Sequence, residues 1–482
     1  MKKRLLLLTI FTFLLSGCGQ ATSKVEGTQI HLSDESITVD GKEISNDSSQ
    51  AVYSANDIVF YLEGQDFTYG EGTKKDEHSQ KEADAHTVVH ITKPGKYVLS
   101  GALSLGQIAV DLGEDAKEDP EAVVTLVLNG VDITCEVAPA VIFYDVYEPF
   151  HDVKEKEATK DVDTSEAGAN ILIADDTQNN IQGSYVAKIY KSCELNEAGT
   201  EIVDSKKLHK YDGAFYSKRT MNMNGGDKGN GILNIKAENE GLNSEMHLTI
   251  NGGIINITSG NDGINTNEDN ISVTTINGGS LNVVCDGSTG EGDGIDSNGW
   301  LVINGGSLTS QACATSMDAG IDSDKGIYIN GGHVMATGNM LDHISGGEQT
   351  YAVFGFAGKQ KDTYTLKNAD GNVVGEYAPT NDFTYLIVAG DELIAGDYTF
   401  WQGDTQLTAS KAEPMQGGMF QGERPEMPEG EMPEGEWMEP PNGMMPPEMM
   451  EGNIPTSVET STTFTLEKGG NQFAYISPAV SE

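Results

Sequence analysis

The middle of the chain is built from short apolar segments that are separated by a recurring Asn-Gly-Gly turn. The asparagines of these turns follow one another at intervals of 27, 26, 27 and 26 residues, at Asn224, Asn251, Asn277, Asn304 and Asn330. The segments between the turns are too short for helices and are rich in Ile, Leu, Val and Thr. Each repeat therefore predicts three short strands, and a period near 26 favours a large-coil parallel β-helix. Successive antiparallel hairpins are the alternative, but they do not require so regular a three-segment period.

Less regular apolar stretches flank these repeats. Upstream they predict the strands of earlier coils at residues 88–92, 96–100, 107–111, 123–128, 141–144 and 171–174. Residues 145–168 and 193–210 are predicted to be polar excursions from these coils. After Gly347 the rhythm changes, and ordinary strands are predicted at residues 351–356, 363–367, 383–388 and 398–402. The predicted fold is thus an all-β solenoid with a C-terminal β cap that closes its open end.

A second motif in the repeat carries the candidate chemistry, as in Asp293-Gly294-Ile295-Asp296-Ser297-Asn298. Because side chains alternate along a strand, Ile295 and Ser297 are predicted to point inward and Asp296 and Asn298 outward. Stacking the repeats predicts an inner column of small hydroxyl side chains and three outward columns rich in carboxylates and amides. The inner column consists of Ser217, Ser244, Thr266, Ser297 and Ser323. The outward columns consist of Asn243, Asn265, Asp296 and Asp322; of Glu245, Asn267, Asn298 and Asp324; and of Glu240, Asp262, Asp293 and Asp342.

Carboxylates stacked at the inter-strand spacing of about 4.8 Å repel one another unless a cation lies between them. Calcium accepts six to eight oxygen ligands from carboxylates, amides and carbonyls, which suits this pattern better than magnesium does. The predicted calcium ligands are Glu240, Asn243, Asp262, Asn265, Asn267, Asp293, Asp296, Asn298, Asp322 and Asp324. A solvated acidic face, with Asp and Asn serving only as turn formers, is the alternative. The turn asparagines are instead expected to be structural, with stacked amides that bond along the ladder.

Composition agrees with a cation-loaded extracellular protein. The chain has 30 Lys and Arg against 74 Asp and Glu, a formal net charge of −44, together with 57 glycines. Nucleic acid is excluded as a natural partner, because phosphate binding requires clustered Lys and Arg. The acidic surface instead attracts cations.

The N-terminus predicts a membrane address. A basic start and an apolar run of 11 residues, Leu5 to Leu15, are too short for a spanning helix and indicate a signal peptide, residues 1–17. Leu15-Ser16-Gly17-Cys18 is similar to the bacterial lipobox, in which the cysteine is diacylated and becomes the mature N-terminus. We therefore expect a lipoprotein that is anchored through Cys18 to the extracytoplasmic face of the cell membrane, with no other membrane contact. Ordinary secretion with a spare cysteine is the alternative.

The expected order of segments is the leader 1–17, a polar lipid-anchored tether 18–50, the parallel β-helix 51–347, the cap 348–410, a Met-, Pro- and Glu-rich disordered segment 411–455, and the last cap strands 456–482. The remaining cysteines, Cys135, Cys193, Cys285 and Cys313, have no CxxC or CxxH spacing. They are predicted to be buried free thiols, with a disulfide as the alternative, and Cys285 and Cys313 are expected to stack as neighbours.

The chain resembles a family of bacterial surface lipoproteins with a right-handed parallel β-helix that is described as binding cellulose and acidic sugars. The resemblance is carried by Gly95-Lys96-Tyr97-Val98-Leu99-Ser100-Gly101, by Leu126 to Ile133, by Ala214-Phe215-Tyr216-Ser217-Lys218 and by the later repeats. It implies a pectate-lyase-like fold that carries calcium and binds polysaccharide without established catalysis. Trp300 is the first candidate platform for a sugar ring and Tyr216 the second, and simple packing is the alternative role for both.

Two other functions remain open. A calcium-dependent polysaccharide lyase would need a base, for which Lys325 beside Asp324 is the candidate. A copper-handling or adhesive protein would use the methionine thioethers of residues 411–455 as soft ligands.

Overall fold

The computed structural model describes residues 25–412 and 460–479, and almost all of its regular structure is β-strand. The predicted leader, Cys18 and nearly all of the segment 411–455 lie outside the described residues. One short α-helix, α1 (Gln80–Asp84), and two 3₁₀ helices, Glu114–Glu118 and Glu155–Glu157, are present in the described part. No described helix has the length and apolar character needed to cross a membrane.

The strands fall into three consecutive regions of the chain. The N-terminal region contains β1 (Thr28–Leu32), β2 (Thr38–Val39), β3 (Lys42–Glu43), β4 (Val52–Ala55), β5 (Thr87–Ile91), β6 (Gly95–Leu103), β7 (Gly106–Val110), β8 (Val124–Thr134), β9 (Val141–Phe143), β10 (Ala169–Ile173), β11 (Gln178–Gly183), β12 (Val186–Leu195) and β13 (Ile202–Tyr211). The repeat region contains β14 (Gly213–Ser217), β15 (Met221–Gly225), β16 (Ile232–Ala237), β17 (Glu240–Ser244), β18 (Leu248–Ile250), β19 (Ile254–Ser259), β20 (Ile264–Thr266), β21 (Val273–Ile276), β22 (Ser280–Cys285), β23 (Ile295–Ser297), β24 (Trp300–Ile303), β25 (Ser307–Gln311), β26 (Gly326–Ile329), β27 (His333–Gly338) and β28 (Ile344–Gly346). The cap contains β29 (Tyr351–Gln360), β30 (Tyr364–Asn368), β31 (Val373–Tyr377), β32 (Phe383–Ala389), β33 (Gly396–Gln402), β34 (Thr405–Lys411), β35 (Phe464–Leu466) and β36 (Gly470–Pro478).

The repeat region forms large parallel sheets in which each repeat adds one strand to each of three stacks. The first stack runs through β14, β17, β20 and β23. The second runs through β15, β18, β21, β24 and β26, and the third through β16, β19, β22, β25 and β27. Strands of the N-terminal region extend the same stacks in parallel, for example β9 on β14 and β10 on β15. Parallel pairing rules out the hairpin alternative for the repeats.

Glycine makes the repeated turns possible. The second glycine of four Asn-Gly-Gly turns has a φ between +82° and +92°, at Gly253, Gly279, Gly306 and Gly332. Side chains rarely adopt this region of φ, whereas glycine enters it without steric cost. The turn therefore returns the chain from the second stack to the third at the same place in each repeat.

The space between the stacks is filled by aliphatic side chains. Leu242, Ile264 and Ile295 of the first stack are fully buried, as are Leu248, Leu301 and Ile303 of the second. Burying each such side chain contributes roughly 1.5–3 kcal/mol of transfer free energy. A separate aromatic core lies in the cap, where Phe354 stacks on Phe400 at 4.1 Å between ring centroids.

Reversed strands cover one end of two of the stacks. At the C-terminal end β32 of the cap pairs antiparallel with β27, and at the N-terminal end β4 pairs antiparallel with β5. The four predicted cap strands coincide with parts of β29, β30, β32 and β33.

Several expectations need correction. The tether 18–50 is too long, because β1 pairs in parallel with β6 and buries Ile30 and Leu32 from residue 28 onward. Residues 193–210, predicted as a polar excursion, lie mostly in the antiparallel hairpin of β12 and β13, which forms a two-stranded sheet of its own. All four cysteines of the described part are free, but Cys193 is half-buried rather than buried. Val284 pairs with Gln311, which aligns Cys285 with Ala312 instead of Cys313.

Candidate functional site

The first stack presents the predicted columns on opposite faces of its strands. Asn243 pairs with Asn265, and Asn265 with Asp296, while Ser244, Thr266 and Ser297 form the neighbouring column. The hydroxyl column is fully buried, and two of its members bond each other, with Thr266 Oγ1 at 2.8 Å from Ser297 Oγ. Ser217 and Ser323 occupy the same inner column and are also buried. The inward and outward positions of this motif are therefore placed as the alternation predicts.

A row of carboxyl groups lies along the start of these strands. We call Glu240, Asp262, Asp293, Asp296 and Asp322 the acid row. Glu240 and Asp262 are only 5% and 8% exposed, and neither forms an ion pair within the part of the chain that the structure describes. The Asp293 backbone N–H donates to Asp262 Oδ1 at 2.7 Å, and the Ala319 N–H donates to Asp293 Oδ1 at 2.5 Å. Asn243 and Asn265 both donate to the Glu240 carboxylate, the latter at 3.2 Å.

Burial and mutual repulsion raise the pKa of every member of the acid row. Burial is the first cause at each member, and the charge of a neighbouring carboxylate adds to it. The pKa values of Glu240 and Asp262 lie well above their usual range, those of Asp293 and Asp296 are raised to about 9 and about 7, and that of Asp322 is raised. The row cannot hold all its charges in this environment without a cation or protons.

Asp342 does not follow Asp293 in its column, contrary to the prediction. Gly294 N–H donates to the Ala319 carbonyl, so the chain beside Asp293 belongs to residues 318–320. Asp342 instead faces Asp322, whose charge, after burial, raises the pKa of Asp342 to about 7. The cause lies in the repeat spacing, which continues unbroken: Ala319 follows Asp293 by 26 residues, as Ile321 follows Ile295, so an alanine fills the next position of the column.

The predicted outward column of Glu245, Asn267, Asn298 and Asp324 is more exposed than the acid row. Asn267 lies 3.4 Å from Asn243 through their amides, and Asn298 donates to the Asn267 carbonyl at 3.2 Å and to Asp269 at 2.8 Å. Asp324 follows, with its N–H donating to the Ser297 carbonyl, and its charge contributes to the raised pKa of Asp296. The ten predicted ligands thus lie along one face of the first stack and the turns that lead into it.

The oxygen atoms of this face fit a hard cation only in part. Within residues 25–412 and 460–479, no three His, Cys, Asp or Glu side chains meet as a ready metal cluster. The amide oxygen of Asn265 is nevertheless buried with no hydrogen-bond partner, as is one carboxylate oxygen of Asp342. Buried acceptors without donors are costly. Calcium fits this donor set because it also accepts amide and carbonyl oxygens, so a site need not consist of carboxylates alone.

Basic residues that the sequence analysis missed flank one end of the acid row. Lys210 forms an ion pair with Asp212 at 2.9 Å, and Lys207 approaches Glu245 at 3.7 Å. Burial lowers the pKa of Lys210, but Asp212 and the nearby glutamates outweigh this and raise it. Both lysines belong to β13. The only sequence signal that could have placed them here is the alternation of apolar and polar residues in the two strands of the hairpin.

The two candidate sugar platforms differ. Tyr216 is 3% exposed, packs against Tyr211 and donates to Glu245 at 2.8 Å. It is a packing residue and offers no face to a sugar, so its predicted role is wrong. Trp300 is half-buried at the start of β24, between Val273 and Gly326 of the neighbouring strands.

Lys325, the predicted base of the lyase alternative, lies 3.9 Å from Glu155, its ion-pair partner in the excursion 145–168.

These features define a nearly all-β protein with large parallel sheets and an acidic row on one of them. A family model described as carbohydrate-binding domain-containing protein matches residues 85–411, and the chain belongs to that family. A comparison with curated proteins finds no match. Among solved structures, the chain is similar to one titled as the polysaccharide lyase-like protein from C. thermocellum, gadolinium derivative. The two are 19% identical with a TM-score of 0.36 over 67% of this chain and 93% of that one, which is too weak a likeness to carry an argument.

Proposed function

We propose that the chain is a noncatalytic surface lipoprotein that binds polysaccharide through calcium ions held along the acid row. The family supports carbohydrate as the partner. The observation that carries the calcium is the acid row itself, five buried or half-buried carboxyl groups whose pKa values are all raised by burial and by one another.

The three stacks support a winding in which each repeat makes one turn of a right-handed parallel β-helix. That hand is the rule for parallel strands joined by crossover connections. In such a coil the acid row lies along the axis at about 4.8 Å per repeat, the spacing at which one oxygen-bound cation can bridge neighbouring repeats.

Bound calcium would supply positive charge that the surface otherwise lacks. A chain with a net charge of −44 repels an acidic polysaccharide, so uronate carboxylates would need a cation between them and the protein. Within this proposal Asp296, Asn298 and Asp324 hold the cation from the strand side, and Asp293 holds it from the turn. The predicted anchor at Cys18 would place this face outside the cell membrane.

Calorimetric titration of the lipid-free full chain tests the proposal. Oligogalacturonate is expected to bind in calcium and to lose binding in chelator. Asp296→Ala is expected to weaken binding, whereas Asp115→Ala, an exposed acid remote from the acid row, should not change it. Equal binding with and without calcium would contradict the calcium role, and no binding in either condition would contradict polysaccharide binding of this class.

The runner-up is a lyase, and the same titration separates it when ultraviolet absorbance of unsaturated uronate is followed. A lysine acting as a base must lose its proton, yet the pKa of Lys210 is raised. Lys325, the predicted base, lies in an ion pair with Glu155 at 3.9 Å. These environments favour binding without catalysis. Product that forms with the parent chain and disappears with Lys325→Ala would establish the lyase instead.

A further inference from the structure

Residues 145–168 form a strap that lies across the outer face of the second stack. The strap begins after β9, where Asp145 accepts from Arg219 at 2.5 Å, and it returns to the stack at β10. Along its path Phe150 packs edge-on against His247 at 4.4 Å, and Lys160 lies 5.0 Å from the ring centroid of Tyr328. The strap therefore spans several repeats rather than a single turn.

Hydrogen bonds between polar groups hold the strap to the second stack and to the chain that leads into it. The buried Glu148 carboxylate accepts from the backbone N–H of Thr220 at 2.6 Å and from its hydroxyl at 2.9 Å. Near the other end, Thr164 Oγ1 lies 2.8 Å from both Asn222 Oδ1 and Thr249 Oγ1. Thr249, Thr275 and Val302 face outward by alternation, yet they are only 4%, 7% and 4% exposed. The strap and its surroundings thus shelter the outer face of the second stack.

Beside this sheltered column runs the asparagine ladder, which comprises Asn224, Asn251, Asn277, Asn304 and Asn330. Each Nδ2 donates to the Oδ1 of the preceding asparagine, at 3.0, 2.9, 2.9 and 2.8 Å. An amide has two N–H groups and two acceptor lone pairs, so an interior member uses half of its capacity in the ladder. Asn251, Asn277 and Asn304 are exposed, and the remaining half is available to a ligand.

A groove of about 460 Å³ separates the strap from the asparagine ladder. Asn251 to Asn330 line one side and residues 160–165 of the strap line the other. Lys160 and Asp161, both in the lining, neutralise each other at 2.7 Å. Of the described residues that line the groove, none is aromatic, and its methyl groups come from Thr275, Val302 and Val162. Thr275 and Val302 stack in a column beside the amides of Asn277 and Asn304.

Spacing and chemistry select the class of ligand. An extended peptide advances about 3.3 Å per residue, which falls out of step with rungs that are about 4.8 Å apart. A hexose in an extended β-1,4-linked chain advances by close to one rung. A bare glucan normally stacks on aromatic rings, and the described residues of the lining include none. Tyr328 follows Val302 in the same outward column, but Lys160 of the strap lies over its ring. An acetamido group instead offers one N–H, one carbonyl and one methyl, which match the amides and methyl groups of the groove.

We propose that this groove binds a chain of β-1,4-linked N-acetylhexosamine that lies along the stacking direction. The site rests on polysaccharide binding as the general role of the chain, but it needs neither calcium nor the acid row. The acetamido groups on one side of the glycan meet the ladder at every second rung, and hydroxyl groups meet the amides between them.

Two variants of the full chain test the site with N-acetylglucosamine hexamer as the probe. Val162→Trp fills the groove from the strap without altering the ladder and is expected to abolish binding. Asn304→Leu removes one amide and is expected to weaken binding about tenfold, the value of one or two hydrogen bonds. Asn234→Leu is the matched control, because Asn234 bonds Asn180 and Asn256 in the same manner on the third stack and lies outside the groove.

The titrations are run in calcium and in chelator, with cellohexaose as the probe that lacks acetamido groups. Binding of the acetylated hexamer in chelator, weaker binding of cellohexaose and loss only in the two groove variants are the expected results. Binding that survives both variants, or cellohexaose that binds as tightly, overturns the proposal. If oligogalacturonate still binds in calcium while the acetylated hexamer does not, this groove is wrong and the calcium site stands. Thermal melts identify a misfolded Val162→Trp, in which case the comparison of Asn304→Leu with Asn234→Leu decides.

Discussion

The asparagine ladder and the acid row are both stacks of polar side chains built from the same repeat. They differ in how the hydrogen-bonding needs of their side chains are met. Each amide of the ladder both donates and accepts, so its members bond one another at 2.8–3.0 Å without outside help. The carboxylates of the acid row only accept when ionised. Their pKa values are raised because burial and the charges of neighbouring carboxylates outweigh the N–H groups that donate to them.

The contrast shows that stacking repeats the same side-chain interaction, favourable or unfavourable, once for every added repeat. A side chain that can pair with its own copy gains from each added repeat, whereas a charged one loses. Within the proposed function, the acid row keeps its carboxylates because a cation completes them. The following experiments separate the two columns.

Chelation is expected to have the largest effect. Free calcium at about 100 times its dissociation constant stabilises the folded chain by about 2.7 kcal/mol for each site. Chelator should therefore lower the melting temperature in calorimetry, and calcium should restore it more fully than magnesium. An unchanged melting curve would show that the acid row manages without a cation.

The effect of Asp293→Asn on the free energy of unfolding is expected to have opposite signs with and without calcium. In chelator at about pH 10, where Asp293 with its folded pKa of about 9 is ionised, the substitution removes a charge beside Asp262, Asp296 and Asp322 and should stabilise the chain by about 1–2 kcal/mol. In calcium it removes a proposed ligand and should destabilise the chain. Urea unfolding in both conditions measures the two values, with Asp115→Asn as the exposed control, and a single sign in both would contradict the prediction.

Alkaline pH is expected to destabilise the calcium-free chain. The folded pKa values of Asp296 and Asp293 are raised to about 7 and about 9, whereas an unfolded Asp ionises near 3.8. Stability from their protonated forms is therefore lost as pH rises through the folded values, by up to roughly 1.4 kcal/mol per pH unit for each group. Unfolding between pH 6 and pH 9, approximately, should show this slope in chelator and a smaller one in calcium. A flat profile in chelator would mean that the row is already neutralised.

Asn277→Asp converts one rung of the ladder into the chemistry of the acid row. The carboxylate keeps its contact with Asn304 Nδ2 but loses the donor to Asn251, so two acceptors face each other. A cost of about 2 kcal/mol is expected in urea unfolding. Asn372→Asp, on an exposed turn of the cap, is the control, and an equal cost at both positions would mean that the ladder bonds contribute nothing special.

Titration of His247 is expected to have the smallest effect on stability. Its pH dependence has the opposite sign to that of the acid row. Burial lowers its pKa to about 3, while His in an unfolded chain titrates near 6.5. Stability is therefore lost as pH falls below 6.5, by about 1 kcal/mol near pH 5.5. His247→Asn keeps an acceptor for the Val273 N–H and should flatten this acid limb, provided that the limb is measured as a difference between the two chains.

The register of the repeats was predictable because it follows from one repeated alternation. Ser244, Thr266 and Ser297 are inward and Asn243, Asn265 and Asp296 outward for the same reason, and the ladder bonds follow from the turn spacing. Contacts made by parts outside the repeat were not predictable. The hairpin buries Tyr216 and brings Lys210 to the acid row. The misplacement of Asp342 was avoidable, because the period of 26 already puts Ala319 after Asp293. The early strand β1 was missed because its five residues lie within a polar segment.

The reversed strands at the two ends of the stacks bear on self-association. A parallel stack that ends in a bare strand offers its N–H and C=O groups to the next molecule. Here β27 is already paired with β32, and β5 with β4. A strand of another copy therefore cannot extend the third stack beyond β27 or the first stack beyond β5, which leaves fewer edges through which copies held close together could join end to end.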